Sequence, residues 1–312
     1  MNQLVLIFHL WNARNKARKV AEIEARNLLR GLNPEVLRGG PLSEQKGVFW
    51  VAIPENSLSQ VSKRLHRLGS TRAVDFAQFV LDDSLPSNCQ DLITKNELVR
   101  WRKQYHKIVR LHETSKNTIL NSSPDRREFM LKLSDGVIQP VRGYRGDGYA
   151  LSRRGLPPYD ARMIVNLVTP PTELAKLLDP FAGVGGVVIE AIENGFQVFS
   201  SDIDPFLMHG LEHLGATHCV SDARCLPFGN GTIDAIATEP PYDKSTEKLL
   251  EDSLKEMVRV LKIGARLAIF AAAWQADLLR SVGLSIKLVP FLEAKVNRKG
   301  TDCFVIAWEK VC

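Results

Sequence analysis

Short apolar runs alternate with amphipathic stretches over the first part of the chain. Three runs rich in β-branched or aromatic side chains predict strands, and two stretches with apolar positions at helical spacing predict helices. In chain order, these elements are residues 4–8, 16–29, 48–53, 57–68 and 74–81. Their strand–helix–strand–helix–strand order predicts a small ferredoxin-like α/β domain over residues 1–82.

The pattern weakens between residues 83 and 155. Residues 91–111 predict a helix with basic and aromatic side chains, and two interpretations stay open: stacking on bases beside phosphates, or an amphipathic helix whose aromatic residues are buried. Residues 129–141 predict a hairpin. The arginines behind it predict a phosphate clamp, with a merely exposed connection as the alternative: Arg142, Arg145, Arg153 and Arg154.

From residue 156 onward, strand-like runs alternate regularly with helical stretches. The predicted strands are residues 177–178, 196–201, 218–220, 233–238 and 265–271, and the predicted helices are residues 162–167, 187–194, 248–261 and 275–282. This alternation predicts a doubly wound parallel sheet with helices on its faces. Residues 285–296 and 302–309 flank a turn and predict a final antiparallel pair, which is unlike a dinucleotide dehydrogenase.

Composition places the chain among ordinary globular proteins. Its 312 residues are 45% hydrophobic and 24% charged, which suits two domains with sizeable cores. No apolar run approaches the roughly twenty residues that cross a bilayer and no secretory leader is evident, so we expect a soluble cytoplasmic protein without a membrane partner. The five cysteines are scattered without paired spacing, so the sequence predicts neither a disulfide framework nor a metal site.

Charge is distributed unevenly. Residues 1–160 carry a net charge of +10 and residues 161–312 a net charge of −4, which together give the overall +6. A basic first half suits a polyanionic partner such as a nucleic acid, and a solvated surface without a partner is the alternative.

Candidate chemistry gathers at the ends of the predicted parallel strands. Gly183, Gly185 and Gly186 follow the first of them and have no Cβ, so main-chain amides and the positive end of a helix can face a ligand there. A tight turn alone would also explain these glycines.

Acidic residues follow the next strands. Asp202 stands 23 positions after Asp179, where a doubly wound sheet holds ribose hydroxyls, and is favoured over Asp204. Asp222 follows the third strand, where its carboxylate could accept from the amine of an adenine ring. Residues 239–242 follow the fourth strand, at the carboxyl end where open α/β sheets place their chemistry.

As a set, these features resemble the S-adenosylmethionine-dependent amino-methyltransferases, and more narrowly the THUMP-containing tRNA guanine-N2 methyltransferases. The motifs that carry the resemblance are Asp179-Pro180-Phe181-Ala182-Gly183-Val184-Gly185-Gly186, Asp202, Asp222, Glu239-Pro240-Pro241-Tyr242 and Arg162. The resemblance implies a Rossmann-like class I methyltransferase domain over residues 156–312 behind a ferredoxin-like RNA-binding domain. Residues 83–155 leave little room for a full THUMP domain and would be a shortened or diverged THUMP-like region or linker.

The resemblance also implies a cofactor, S-adenosyl-L-methionine. Gly183, Gly185 and Gly186 would line its methionine end, with Pro180 and Phe181 also among the cofactor-binding residues, while Asp202 would hold the ribose and Asp222 the adenine. Asp179 would contact the methionine amino group or cap the loop. Arg162 matches a family arginine near the RNA, with a salt bridge as the alternative. The implied partner is tRNA or another structured RNA, with a small activating subunit in some relatives.

The implied chemistry is methyl transfer to the N2 amine of guanine, a poor nucleophile because its lone pair is delocalised into the ring. Glu239 and the Pro240 carbonyl would hold that amine, Pro241 would stiffen the backbone, and Tyr242 would stack on the base. The family has aspartate where this chain has Glu239. This glutamate leaves open a catalytically weak RNA-binding pseudo-methyltransferase, and the Pro-Pro-aromatic motif leaves open a DNA adenine or cytosine amino-methyltransferase, which shares it.

Overall fold

A computed structural model of the protein divides the chain into two compact units, Met1–Lys116 and Asn117–Cys312. The structure describes residues 3–11, 17–36, 47–65, 67–79, 105–113, 129–134, 137–142, 155–170, 174–207, 211, 215–298 and 301–312. Among these residues, no helix is long and apolar enough to cross a bilayer.

The first unit is built on an antiparallel sheet with helices between its strands. Its elements in the described residues are β1 (Gln3–Leu10), α1 (Arg18–Leu28), β2 (Glu35–Val36), β3 (Val48–Pro54), α2 (Leu58–Leu65), β4 (Thr71–Phe79) and β5 (Tyr105–Glu113). The strand order is β2-β3-β1-β4-β5, and every neighbouring pair is antiparallel.

One hydrophobic cluster joins this sheet to both helices. Phe8 of β1 and Phe49 of β3 are cross-strand partners, and their rings stack with centroids 4.7 Å apart. Ala25 of α1 and Leu65 of α2 are fully buried in the same cluster. The unit therefore has a core of its own.

The structure confirms β1, α1, β3, α2 and β4 as the sequence predicts them. The pattern missed β2, which has only two residues. The predicted helix over residues 91–111 is wrong for residues 105–111, which belong to β5, and residues 91–104 lie outside the described residues. Pairing along β4 outweighs helix propensity here, since the spacing of Tyr105, Ile108, Val109 and Leu111 fits a strand and a helix each in part.

The second unit contains a mixed sheet and a separate hairpin. Within the described residues its strands are β6 (Phe129–Ser134) and β7 (Val137–Arg142) of the hairpin, then β8 (Lys176–Asp179), β9 (Gln197–Asp202), β10 (Thr217–Val220), β11 (Ile233–Thr238), β12 (Leu261–Ala272), β13 (Leu288–Arg298) and β14 (Thr301–Lys310). Its helices are α3 (Pro158–Val168), α4 (Gly186–Glu193), α5 (Glu247–Val260) and α6 (Ala276–Ser285).

The large sheet has the order β10-β9-β8-β11-β12-β14-β13. Strands β8 to β12 run parallel, and β14 is antiparallel to both β12 and β13. This confirms the predicted doubly wound, Rossmann-like sheet and its final antiparallel pair. The strand order reverses between β8 and β11, so this is the switch point where such sheets open a crevice for ligands.

Candidate active site

The carboxyl ends of β8 and β11 lie side by side at the switch point. Leu177 and Leu178 of β8 pair with Ala235 and Ile236 of β11 in parallel register. Both strands are almost fully buried, which fixes their ends against the hydrophobic core. Asp179 closes the first strand and residue 239 follows the second, so the sheet brings the two predicted motifs together.

The glycine loop turns from β8 into α4 as predicted. Gly183 and Gly185 have φ values of +50° and +84°, a region that side chains with a Cβ enter at a cost, and Gly185 is the N-cap of α4. The Gly185 amide donates to the Ala182 carbonyl at 2.8 Å, and the Ala182 amide donates to the Ser201 carbonyl at 2.9 Å. The turn is therefore tied to the end of β9.

Gly186 has a packing role that the sequence did not indicate. A Cβ at this position would lie 2.8 Å from the carbonyl oxygen of Leu156 and 3.2 Å from its amide nitrogen. Leu156 precedes α3 and is buried. The missing side chain therefore makes room for the backbone in front of α3, and the predicted contact of this glycine with a cofactor stays a prediction.

Phe181 also serves packing. Its ring is partly buried and packs against the main hydrophobic cluster of the second unit, while Pro180 beside it is buried. Both residues therefore contribute to packing around the loop, and their predicted contact with a cofactor stays a prediction.

Asp202 ties the loop to its neighbouring strand ends. Its Oδ2 accepts from the Gly183 amide at 2.9 Å, and its Oδ1 accepts from the Asp204 amide at 3.0 Å. Its carbonyl accepts from the Ser221 amide behind β10 at 3.0 Å. The predicted acidic position therefore lies directly against the glycine loop, with the apolar side chain of Ile203 68% exposed next to it.

Asp179 links the two motifs. Its side chain is 1% exposed, and its Oδ1 accepts from the Thr238 hydroxyl at 2.7 Å and from the Phe181 amide at 3.3 Å. This geometry gives Asp179 the capping role, the second of the two roles considered for it. Sequence reasoning missed Thr238, whose only signal is its place before the Glu-Pro-Pro-Tyr run.

The environment of Asp179 favours its neutral form. Burial raises the pKa of its carboxyl to about 7, hydrogen bonds from Thr238 and Phe181 oppose this shift, and the charges of Asp202 and Glu239 add to it. Three acidic groups therefore converge at this edge of the sheet.

Asp222 is held by its own turn. Its Oδ2 accepts from Arg224 Nη2 at 2.6 Å and its Oδ1 from Arg224 Nε at 3.0 Å, and the Arg224 amide donates to Oδ1 at 2.9 Å. These bonds lower the pKa of the Asp222 carboxyl. The carboxylate stands at the predicted edge, but it already has a strong partner that the sequence did not indicate.

The Glu239-Pro240-Pro241-Tyr242 run forms a loop behind β11. The Tyr242 hydroxyl donates to Glu239 Oε1 at 2.6 Å. Pro240 is buried and Pro241 is exposed. Gln275 and Trp274, from the turn behind β12, donate to the carbonyls of Pro241 and Tyr242. Neither residue was a candidate in the sequence.

Arg162 is buried on α3 rather than exposed to a polyanion. Its Nε donates to Glu190 Oε2 on α4 at 2.9 Å, and its Nη2 donates to Glu190 Oε1 at 3.3 Å. This corrects its assignment as an RNA contact in favour of the salt-bridge alternative. Arg142 ends β7, and Arg145, Arg153 and Arg154 lie outside the described residues.

The described residues hold no group of three or more His, Cys, Asp or Glu side chains placed to bind a metal ion. The cysteines in that part of the chain form no disulfide with one another: Cys219, Cys225, Cys303 and Cys312.

Comparisons with known proteins find relatives that match part of this chain. No family model matches the chain. A tRNA (guanine(10)-N2)-dimethyltransferase of Pyrococcus abyssi is 35% identical over 179 residues, which cover 50% of this chain and 53% of that protein. A protein of the same name from Methanothermobacter thermautotrophicus is 41% identical over 87 residues, 26% of each chain.

A probable tRNA (guanine(10)-N2)-dimethyltransferase of Methanothermococcus thermolithotrophicus is 28% identical over 141 residues, which cover 40% of this chain and 83% of that protein. This chain therefore spans about half the length, or less, of the first two relatives. Among solved structures, TrmN from Thermus thermophilus aligns over 99% of this chain and all of its own, with 17% identity and a TM-score of 0.52. That likeness shows a shared fold.

Proposed function

We propose that this chain is an S-adenosylmethionine-dependent RNA methyltransferase that acts on the exocyclic N2 of a guanosine in tRNA. The hydrogen bond from Thr238 to Asp179 carries the proposal, because it joins the glycine loop to the strand end that presents Glu239. A ligand at the loop and a base at the Pro-Pro segment would meet at one edge of the sheet. The names of the three relatives support the substrate class.

The loop suits S-adenosyl-L-methionine. Asp202 offers a carboxylate for ribose hydroxyls, and the exposed Ile203 offers an apolar surface for a flat adenine ring. Asp222 would accept from the adenine amine beside Arg224, since a carboxylate has about four lone-pair sites. When bound, the cofactor supplies a methyl group on a positively charged sulfonium. Asp202 and Glu239 favour a cation at this edge.

The loop of residues 239–242, here called the catalytic loop, would act mainly by positioning the guanine amine. The Glu239 carboxylate and the Pro240 carbonyl would accept the two hydrogens of the guanine amine and aim its lone pair, and the Tyr242 ring would stack on the base. Glutamate is one methylene longer than aspartate, and this length lets Glu239 turn back to the Tyr242 hydroxyl. That bond fixes the orientation of the carboxylate before a base arrives.

The proposal assigns a role to each part of the chain. Residues 1–82 would be a ferredoxin-like domain, which the β-α-β-β-α-β order from β1 to β4 supports. Residues 83–155 would be a shortened or diverged THUMP-like region or linker, and residues 156–312 the methyltransferase domain. The basic residues before position 160 would face tRNA. A small activating subunit and a cytoplasmic location belong to the same proposal.

Methyl transfer from labelled cofactor to unmodified tRNA transcripts tests the proposal. We expect label in N2-methylguanosine after nuclease digestion, and a fall in kcat of about a hundredfold for Glu239→Gln, with the cofactor still bound in calorimetry although more weakly because one negative charge is lost. Glu247→Gln, at the exposed start of α5, is the matched control and should keep full activity.

Two outcomes would contradict this function. Cofactor binding without transfer to any RNA, with or without extract that supplies an activating subunit, would remove the catalytic assignment. Label in duplex DNA but not in RNA would replace it with a DNA adenine or cytosine amino-methyltransferase.

The bond between Tyr242 and Glu239 favours a second candidate, an RNA-binding protein with little or no methyl transfer. In that case the tyrosine occupies an oxygen that the base amine needs. Activity that appears only in Glu239→Asp or Tyr242→Phe would support this candidate. Activity in the wild-type protein would exclude it.

A further inference from the structure

The Pro240-Pro241 segment has few ways to be held in place. Proline has no backbone N–H, so neither residue can donate a main-chain hydrogen bond. The carbonyl oxygens are the main-chain groups that remain, and they need donors from elsewhere in the protein. Side-chain donors are therefore the groups that can hold this segment in place.

Gln275 supplies one donor from the neighbouring strand end. Its Nε2 donates to the Pro241 carbonyl at 2.9 Å, and its Oε1 accepts from the Ala272 amide at 3.0 Å. Because a carbonyl only accepts and an amide N–H only donates, these partners fix which end of the side-chain amide is which. The side chain is fully buried, so both of its bonds replace lost contacts with water.

Trp274 supplies a second donor from the same short turn, Ala273–Gln275. Its Nε1 donates to the Tyr242 carbonyl at 3.2 Å. The turn connects β12 to α6, and β12 pairs with β11, the strand that leads into the catalytic loop. Consecutive residues of one turn thus hold consecutive carbonyls of the other.

We propose that Gln275 and Trp274 are positioning residues that fix the Pro-Pro-Tyr segment for methyl transfer. This inference rests on the proposed function and deepens it. Both side chains bind carbonyls of the two residues that follow Pro240, Pro241 and Tyr242. They therefore fix the orientation of the peptide groups next to the Pro240 carbonyl, which is assigned to the guanine amine. A displacement of about 1 Å at such a group costs on the order of a hundredfold in rate.

Gln275→Glu tests the donor with almost no change in shape. The carboxylate places an acceptor against the Pro241 carbonyl, so we expect kcat for tRNA methylation to fall by about ten- to a hundredfold. The Kd for cofactor and the KM for tRNA should stay within about twofold, because the loop that Gln275 holds is not the glycine loop. Gln197→Glu, at the exposed first position of β9, is the matched control.

Trp274→Phe keeps a ring of similar shape and removes only the N–H donor. It gives a second readout if Gln275→Glu fails to fold, which thermal unfolding would reveal. We expect a smaller fall in kcat, about threefold to tenfold, since only one neutral hydrogen bond is lost. Gln275→Leu should resemble Gln275→Glu.

Hydrogen exchange separates this inference from the proposed function. Amides in residues 239–246 should exchange faster in Gln275→Glu and Trp274→Phe than in wild type and in Gln197→Glu. If these variants exchange faster but the wild-type protein methylates no RNA, the proposed function is refuted while the role of Gln275 and Trp274 in holding the segment is kept. Unchanged exchange, or a kcat within twofold of wild type in both Gln275→Glu and Trp274→Phe, would overturn the inference.

Discussion

Asp179 makes the stability of the protein depend on protonation near neutral pH. Its pKa is raised from 3.8 to about 7 by burial, so the folded chain keeps a proton that the unfolded chain has already released. The stabilisation from this group is complete below about pH 4 and is lost as the pH rises through about 7. The shift corresponds to on the order of 4 kcal/mol in the free energy of unfolding.

We expect Asp179→Asn to remove the decrease in the free energy of unfolding that accompanies the rise in pH. Asparagine can still accept from Thr238 and Phe181 through its carbonyl oxygen, but it does not titrate. Urea unfolding at about pH 5 and about pH 8 measures the difference. Asp222→Asn is an informative control because the pKa of that carboxyl is lowered, so its contribution is lost as the pH falls. Equal pH slopes in wild type and Asp179→Asn would contradict the assignment.

Single residues differ in how far the sequence reveals their roles. The positions of Asp179, Asp202 and residue 239 at one edge follow from strand ends alone, because parallel strands bring those ends together. Gln275 lies 34 residues from the carbonyl that it binds, and only the pairing of β11 with β12 brings it there. Arg224 was missed because a surface arginine near an aspartate is common and carries no pattern.

The close contact between α4 and the segment before α3 depends on the absence of a side chain at Gly186. In Gly186→Ala the new Cβ would meet the Leu156 carbonyl oxygen at 2.8 Å, a backbone atom that cannot rotate away. We expect a loss of about 1–3 kcal/mol in unfolding free energy. Gly183→Ala meets no atom within 4 Å and has only its φ of +50° to accommodate, so its loss should be smaller. Thermal unfolding of both variants gives the ranking, and the reverse order would contradict it.

Helices α3 and α4 share a buried charge pair. Arg162→Met leaves the Glu190 carboxylate buried without its guanidinium, so we expect a loss of about 3–5 kcal/mol in unfolding free energy. The double variant Arg162→Met with Glu190→Met should recover most of it. On the surface of α5, Lys255→Met beside Glu251 should leave the unfolding midpoint close to wild type. Denaturant titration measures all three, and equal losses in the single and double variants would contradict the pair.

Elements were predictable where one period dominated. Helix α5 has an apolar stripe of buried Leu250, Leu254 and Met257, and β11 is a short buried run, so both were placed within a few residues. Residues 105–111 satisfy both periods in part, and the open edge of β4 decides for a strand. No local pattern carries that information.

At the scale of the whole molecule, the uneven distribution of charge along the chain predicts how its affinity for tRNA depends on salt. If residues 1–160, with a net charge of +10, meet at least six phosphates, tRNA affinity should fall on the order of a thousandfold between about 50 and 200 mM salt. Fluorescence anisotropy with labelled tRNA measures this slope. Arg153→Gln with Arg154→Gln should reduce it by about two, and Lys248→Gln with Lys255→Gln on α5 should not. A flat salt dependence would contradict the basic half as the tRNA-binding part.

The placement of β14 between β12 and β13 has a consequence for biosynthesis. Both flanking strands leave the ribosome before β14 does, yet neither can pair with the other in the finished sheet. In a nascent chain the edge of β12 that β14 will cover therefore stays unpaired until Thr301–Lys310 emerges, and it is exposed to chaperones in the meantime.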